Sequence, residues 1–140
     1  MDDGISYKVV GCAMRVYQKL GPGLLESVYQ KAMLIELDSE CLLFDSEVPI
    51  NVEYDGTDLG LGFRMDILVE NSIVLELKSV TQLEKVHFKQ LQTYLKLADK
   101  PYGYLINFNT DKFTIGNSIH RITNQYYTKE YISDYSFHSD

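Results

Sequence analysis

Apolar residues recur at steps of three and four through the first 37 positions, then switch to alternation from residue 48 onward. Over residues 5–20 the apolar set is Ile5, Val9, Cys12, Ala13, Val16 and Leu20, the stripe of an amphipathic helix. Gly21 ends that helix and Pro22 opens the next, over residues 23–37, where Leu25, Val28, Tyr29, Ala32, Met33 and Leu37 repeat the stripe. Val48, Ile50, Val52 and Tyr54 then alternate with Pro49, Asn51 and Glu53, a half-buried strand that Pro49 marks as an edge. Asp55-Gly56 is a tight-turn pair, and Gly60 and Gly62 lead into a second strand, Phe63–Val69, with a third over Ile73–Val80. Thr81-x-x-Glu84 has the form of a capping box, which starts a third helix running to Ala98, before Pro101. Tyr102–Phe108 reads as a fourth strand, and Phe113–Ile122 as a further strand or hairpin arm. The order α-α-β-β-β-α-β implies one α/β (α+β) domain around a mixed central β-sheet.

Composition changes this picture little. With 140 residues, 45% hydrophobic and 24% charged, the chain is sized for a single core, burying roughly 68–70% of its unfolded surface. Cys12 and Cys41 each sit in an apolar segment without metal-type spacing, and are expected as reduced core thiols of a cytoplasmic protein. No basic-then-apolar leader opens the sequence and no run of about 18 apolar residues occurs, so neither a signal peptide nor a membrane span is expected. The tail from Asn124 holds four tyrosines and no clear period. Residues 123–140 are therefore expected as a C-terminal tyrosine-rich extension to a domain spanning 1–122.

Charge matters more. The formal net charge of −7 counts against a large electrostatic footprint on DNA. It leaves room for a small site where acidic groups gather round a cation. The stretch Asp66-Ile-Leu-Val-Glu-Asn-Ser-Ile-Val-Leu-Glu76-Leu-Lys78 is such a place, because apolar strands rarely carry charge inward unless it is paired or holds a metal. Residues two apart on a strand point the same way, so Glu76 and Lys78 share a face. Asp66 joins them only if the hairpin turn is Glu70–Ser72, of odd length; a two-residue turn at Asn71-Ser72 sends it to the other side of the sheet. Opposed carboxylates repel, and Mg2+, commonly held by one or two carboxylates with several waters, would remove that penalty. The alternative is a solvent-facing Asp66 with a surface Glu76–Lys78 pair. Glu26 stands at a helix start, either as an ordinary favourable first-turn carboxylate or near the sheet. His87, Gln90 and Tyr94 lie on one stripe of the third helix and line a cleft or, in the case of His87, satisfy a local structural role. Lys85, Lys89, Lys96 and Lys100 on the same helix are most simply a solvated face.

Gly23-x-x-Glu26-x-x-Tyr29, Glu76-Leu-Lys78, His87-x-x-Gln90-Leu, Tyr94-Leu95 and Leu105-Ile-Asn-Phe108 occur in that order across residues 5–122. This set resembles the GxxExxY protein family of the PD-(D/E)XK nuclease superfamily. The resemblance implies a restriction-endonuclease-like core, a mixed central sheet flanked by helices. By position it implies Asp66 and Glu76 as metal ligands, Glu26 as an extra acidic ligand from a helix, and Lys78 as the catalytic lysine. Gln90 and Tyr94 match a Q-x-x-x-Y element that supports the lysine and contacts DNA, and Tyr94, His87 and Tyr29 are the candidate substrate contacts. Met65 stands where the superfamily motif has proline. The expected activity is Mg2+- or Mn2+-dependent hydrolysis of DNA phosphodiester bonds. Two other classes remain: a non-catalytic binding or regulatory module keeping the fold, and a metal-dependent hydrolase of small phosphorylated substrates. A homodimer, with the tyrosine-rich tail at its interface, is a further expectation.

Overall fold

Eight elements make up the computed structural model, which describes residues 4–127. They are α1 (Ile5–Leu20), α2 (Glu26–Ser39), β1 (Phe44–Tyr54), β2 (Thr57–Val69), β3 (Ile73–Lys78), α3 (Lys85–Ala98), β4 (Tyr102–Asn107) and β5 (Ile119–Thr123). The strands form one sheet in the order β1-β2-β3-β4-β5. Only β3 and β4 run parallel; the other neighbours are antiparallel. A parallel join needs a long crossover, and α3 supplies it. The result is the α+β architecture implied by the order of periods, with β1 and its Pro49 at an edge of the sheet.

Helices cover both faces. α1 and α2 pack through Val9, Cys12, Val16, Tyr29, Met33 and Leu37 onto Ile73, Leu75, Leu77 and Ile106. On the other face Leu91 and Leu95 of α3 meet Met65, Leu68, Val74 and Leu105. Alternation along β3 then places Glu76 and Lys78 on the α3 side with Val74. Among the described residues no helix is long and apolar enough to cross a membrane.

Some boundaries and one thiol differ from expectation. The second helix starts at Glu26 rather than at residue 23, because Gly21 and Gly23 take positive φ values of 69° and 97° and hold residues 21–25 in a turn. The third begins at Lys85, and its capping pair is Glu84 with His87 rather than Thr81 with Glu84. Residues 113–118 are a turn rather than strand, tied by the buried Ser118 hydroxyl, which lies 2.8 Å from Thr110 Oγ1 and accepts the Thr114 N–H at 3.1 Å. Cys12 is buried, and burial pushes its thiol up to about 11. Cys41 is exposed rather than in the core, at a turn with φ 59°. Asn124 is buried and its side-chain amide donates to the carbonyls of Leu95 and Lys100, so ordered packing continues to that point. The remainder of the tyrosine-rich tail, 128–140, lies outside the described residues.

Candidate functional site

Hairpin register decides where the central carboxylates meet. Val69 pairs with Ile73, Leu68 with Val74 and Ile67 with Leu75, so the turn is Glu70–Ser72, three residues long. Glu70 and Asn71 both take left-handed φ values, 51° and 54°, and the Ser72 N–H closes the turn on Val69 O at 3.0 Å. Counting back along the ladder brings Asp66 opposite Glu76. The strands part there, and Asp66 Oδ2 accepts the Leu77 N–H at 2.8 Å. A side chain thus replaces the missing ladder partner.

β2 also turns over at this residue. Met65 packs with the α3 cluster while Ile67, two positions on, packs with the α1–α2 cluster. On the β1 side the pairs Ser46–Ile67 and Val48–Met65 flank Asp66, and Glu47 between them has φ 52°. Gln30 of α2 spans this gap: its Nε2 donates to Glu47 Oε2 at 2.8 Å and to Asp66 O at 3.2 Å.

Glu36 and Glu76 are both buried and are treated very differently. Glu36 receives Arg15 at 2.7 Å and Lys19 at 3.0 Å, and the Arg15 hydrogen bond first among several causes holds its carboxyl below the usual range. Glu76 is 5% exposed, yet its Oε1 has no hydrogen-bond partner and its Oε2 lies 3.7 Å from Lys78 Nζ. Burial pushes Glu76 up to about 8, Asp66 adds to the rise, and Lys78 opposes it. Asp66 is pushed up to about 6, again by burial, against the Leu77 hydrogen bond, with Glu26 and Glu47 raising and Lys78 lowering. The Tyr94 hydroxyl is raised by burial and then by Glu76 and Asp66, and its ring stacks on Phe63 at 3.9 Å. One ammonium therefore faces a group of carboxylates that it does not neutralise.

Asp66, Glu76, Lys78 and Tyr94 are brought together, and Glu26, exposed at the first position of α2, is felt electrostatically by both buried acids. Gln90 is exposed, four residues before Tyr94 on the same helical stripe. His87 is engaged at the start of α3, where its Nδ1 accepts the Glu84 N–H at 2.9 Å. Tyr29 is a correction: as a fully buried residue it offers no surface to a substrate. Its ring stacks on Phe108 at 4.5 Å, and its hydroxyl donates to Gly21 O and accepts the Leu24 N–H. Sequence reasoning missed Glu47 and Gln30. The only available signal was that Gln30 lies four residues after Glu26, one turn along the same helix stripe.

Among the described residues no three Asp, Glu, His or Cys side chains are grouped so as to enclose a metal ion. A cation nonetheless suits Asp66 and Glu76: both are oxygen donors held above their ordinary pKa, and one buried oxygen lacks a partner. The sequence profile of the PD-(D/E)XK nuclease superfamily matches residues 3–122. The chain belongs to that superfamily. Members of the PD-(D/E)XK superfamily generally use divalent metal ions. No curated protein matches the sequence. The solved structure of SSO0001 is similar in fold, with TM-score 0.51 and 22% identity, over 70% of this chain and 49% of that one. The matched region thus spans about half the length of SSO0001.

Proposed function

We propose that this PD-(D/E)XK chain is a nuclease that hydrolyses DNA phosphodiester bonds with a divalent cation, Mg2+ or Mn2+, held by Asp66 and Glu76, with Glu26 adding negative charge from the start of α2. The observation that carries the reading is the buried, unpartnered Oε1 of Glu76 opposite Asp66, with Lys78 3.7 Å from the other oxygen. When bound, such a cation supplies charge neutralisation at the phosphate and a more acidic water. The protein's own groups do the positioning. The Leu77 N–H fixes Asp66 at the point where the strands part. Lys78, only partly exposed, would orient the attacking water and offset charge that grows on a phosphoryl oxygen. Glu26 approaches from α2 and Tyr94 from α3, so the reacting phosphate would lie where both faces of the sheet open.

The test uses linear, nicked and branched DNA with Mg2+ or Mn2+, comparing the wild type with Glu76→Ala and Lys78→Ala. Each substitution is expected to lower the rate by roughly 10²-fold or more, the scale for removing one charge-stabilising group. Equal cleavage by all three proteins would assign the activity elsewhere. The net charge of −7 favours a second reading, hydrolysis of a small phosphorylated substrate rather than of a long duplex. Inhibition of DNA cleavage by free nucleotide would support it. A non-catalytic module is distinguished by titration calorimetry, in which it would take up no Mn2+ at millimolar concentration.

A further inference from the structure

We propose that the large cavity at the C-terminal ends of β3 and β4 holds one unpaired nucleotide beside the scissile phosphate. Its place next to a scissile phosphate rests on the nuclease reading above; its ligand chemistry does not. The cavity has a volume of about 830 Å³, against about 310 and 280 Å³ for two others on the molecule. Small-ligand sites are commonly about 300–1,000 Å³. A base and its sugar fit this space, whereas a duplex does not.

The lining suits a base more than a phosphate run. Gln82, Asn109 and Asn117 present side-chain amides, each able to donate and accept, as the edge of an unpaired base requires. Phe88 meets His120 edge-on at 5.1 Å, and His120 is further held by Asn117 O at 3.2 Å. These two rings form the aromatic side of the cavity, a surface against which a base can pack. Lys112 offers a cation at the wall, and Asp111 beside it cancels the local charge. A continuous polyanion gains little there, while a single nucleotide keeps its contact to Lys112.

Position ties the cavity to the carboxylates. Asn107 lines it and pairs directly with Lys78 across the parallel β3–β4 ladder. Neighbouring strands lie about 4.8 Å apart, so the cavity wall begins one strand spacing from the lysine backbone. The Asn107 side chain clamps the chain leaving Lys78: Oδ1 accepts the Val80 N–H at 3.1 Å and Nδ2 donates to Val80 O at 3.0 Å. That clamp sets Thr81 and Gln82 as the wall on the α3 side. A strand crossing the end of the sheet would place one phosphate at Lys78 and the adjoining base in the cavity.

Binding without cleavage is read by anisotropy in EDTA, with fluorescein-labelled oligothymidylate, a blunt duplex of the same length, and thymidine monophosphate as competitor. The variants are Gln82→Ala/Asn109→Ala and Asn117→Ala, on the cavity wall, with thermal melts to confirm folding. Each is expected to weaken single-strand binding about tenfold or more while leaving duplex binding unchanged. Competition by the monophosphate would identify a free nucleotide as sufficient; competition by unlabelled oligonucleotide alone would show that the base is taken as part of a strand. Wild-type-like single-strand binding by the variants, equal losses on duplex, or no wild-type single-strand binding would each overturn the proposal. The catalytic reading fails separately: Glu76→Ala should bind the oligonucleotide in EDTA as the wild type does and lose only cleavage.

Discussion

The Glu76 carboxylate is costly to bury unless a proton or a counter-charge offsets it, and the direction of its pH dependence follows. Its pKa is about 8 folded against an ordinary 4.5, so the folded chain keeps a proton that the unfolded chain releases. Its contribution to stability is complete below about 4.5 and is lost as pH rises through about 8; Asp66 does the same between 3.8 and about 6. The metal-free Glu76→Gln variant should therefore melt higher than the wild type at about pH 9 and nearly with it at about pH 4. At this chain size each 1 kcal/mol corresponds to about 3–5 °C in Tm. Coincident melting curves at the higher pH would refute the account. The juxtaposition of these two acids was legible because charge inside an alternating apolar strand is conspicuous. Glu47 and Gln30 were not: an exposed carboxylate on an edge strand and a helical glutamine look like any solvated residue, and only φ 52° and the Gln30 bridge single them out.

At the scale of elements, α1 was readable to both ends because its stripe is regular and Gly21 stops it. The starts of α2 and α3 were not. Proline after glycine and the Thr81-x-x-Glu84 pattern each permit a helix start without compelling one, and local hydrogen bonds placed both three or four residues later. Tyr29 shows why. Its hydroxyl bridges Gly21 O and Leu24 N, tying the turn that leads into Glu26. Tyr29→Phe keeps the stacking on Phe108 and removes only that tie. The expected cost is about 1 kcal/mol, a fall of about 3–5 °C in Tm, with weaker Mn2+ uptake as Glu26 loses its fixed approach. Unchanged Tm and unchanged calorimetric Mn2+ affinity would show that the hydroxyl does not position the helix start. The turn at Glu70–Ser72 was legible as a condition rather than a result, since sequence spacing allowed both lengths and only the left-handed pair at Glu70 and Asn71 selects one.

For the whole molecule, net charge limits any nucleic-acid contact under the proposed activity to a small one. The net charge is −7, and the cations beside the carboxylates and the cavity are Lys78 and Lys112. Two neutralised phosphates correspond to a slope of roughly −1.4 for log affinity against log salt on a single strand. A slope beyond about −5 would mean a duplex-sized footprint instead. The mixed sheet followed from the order of periods and the flanking helices from the family resemblance, but the end-of-sheet cavity did not, since it is assembled from 81–83, Phe88, 107–112 and 117–120, which no local pattern joins. The amide of Leu77 is held by a carboxylate that itself titrates near neutrality, so this backbone proton is a built-in spectroscopic reporter. Its resonance would follow Asp66 through protonation, and the displacement of that midpoint by an added ion would register occupancy without any nucleic acid in the tube.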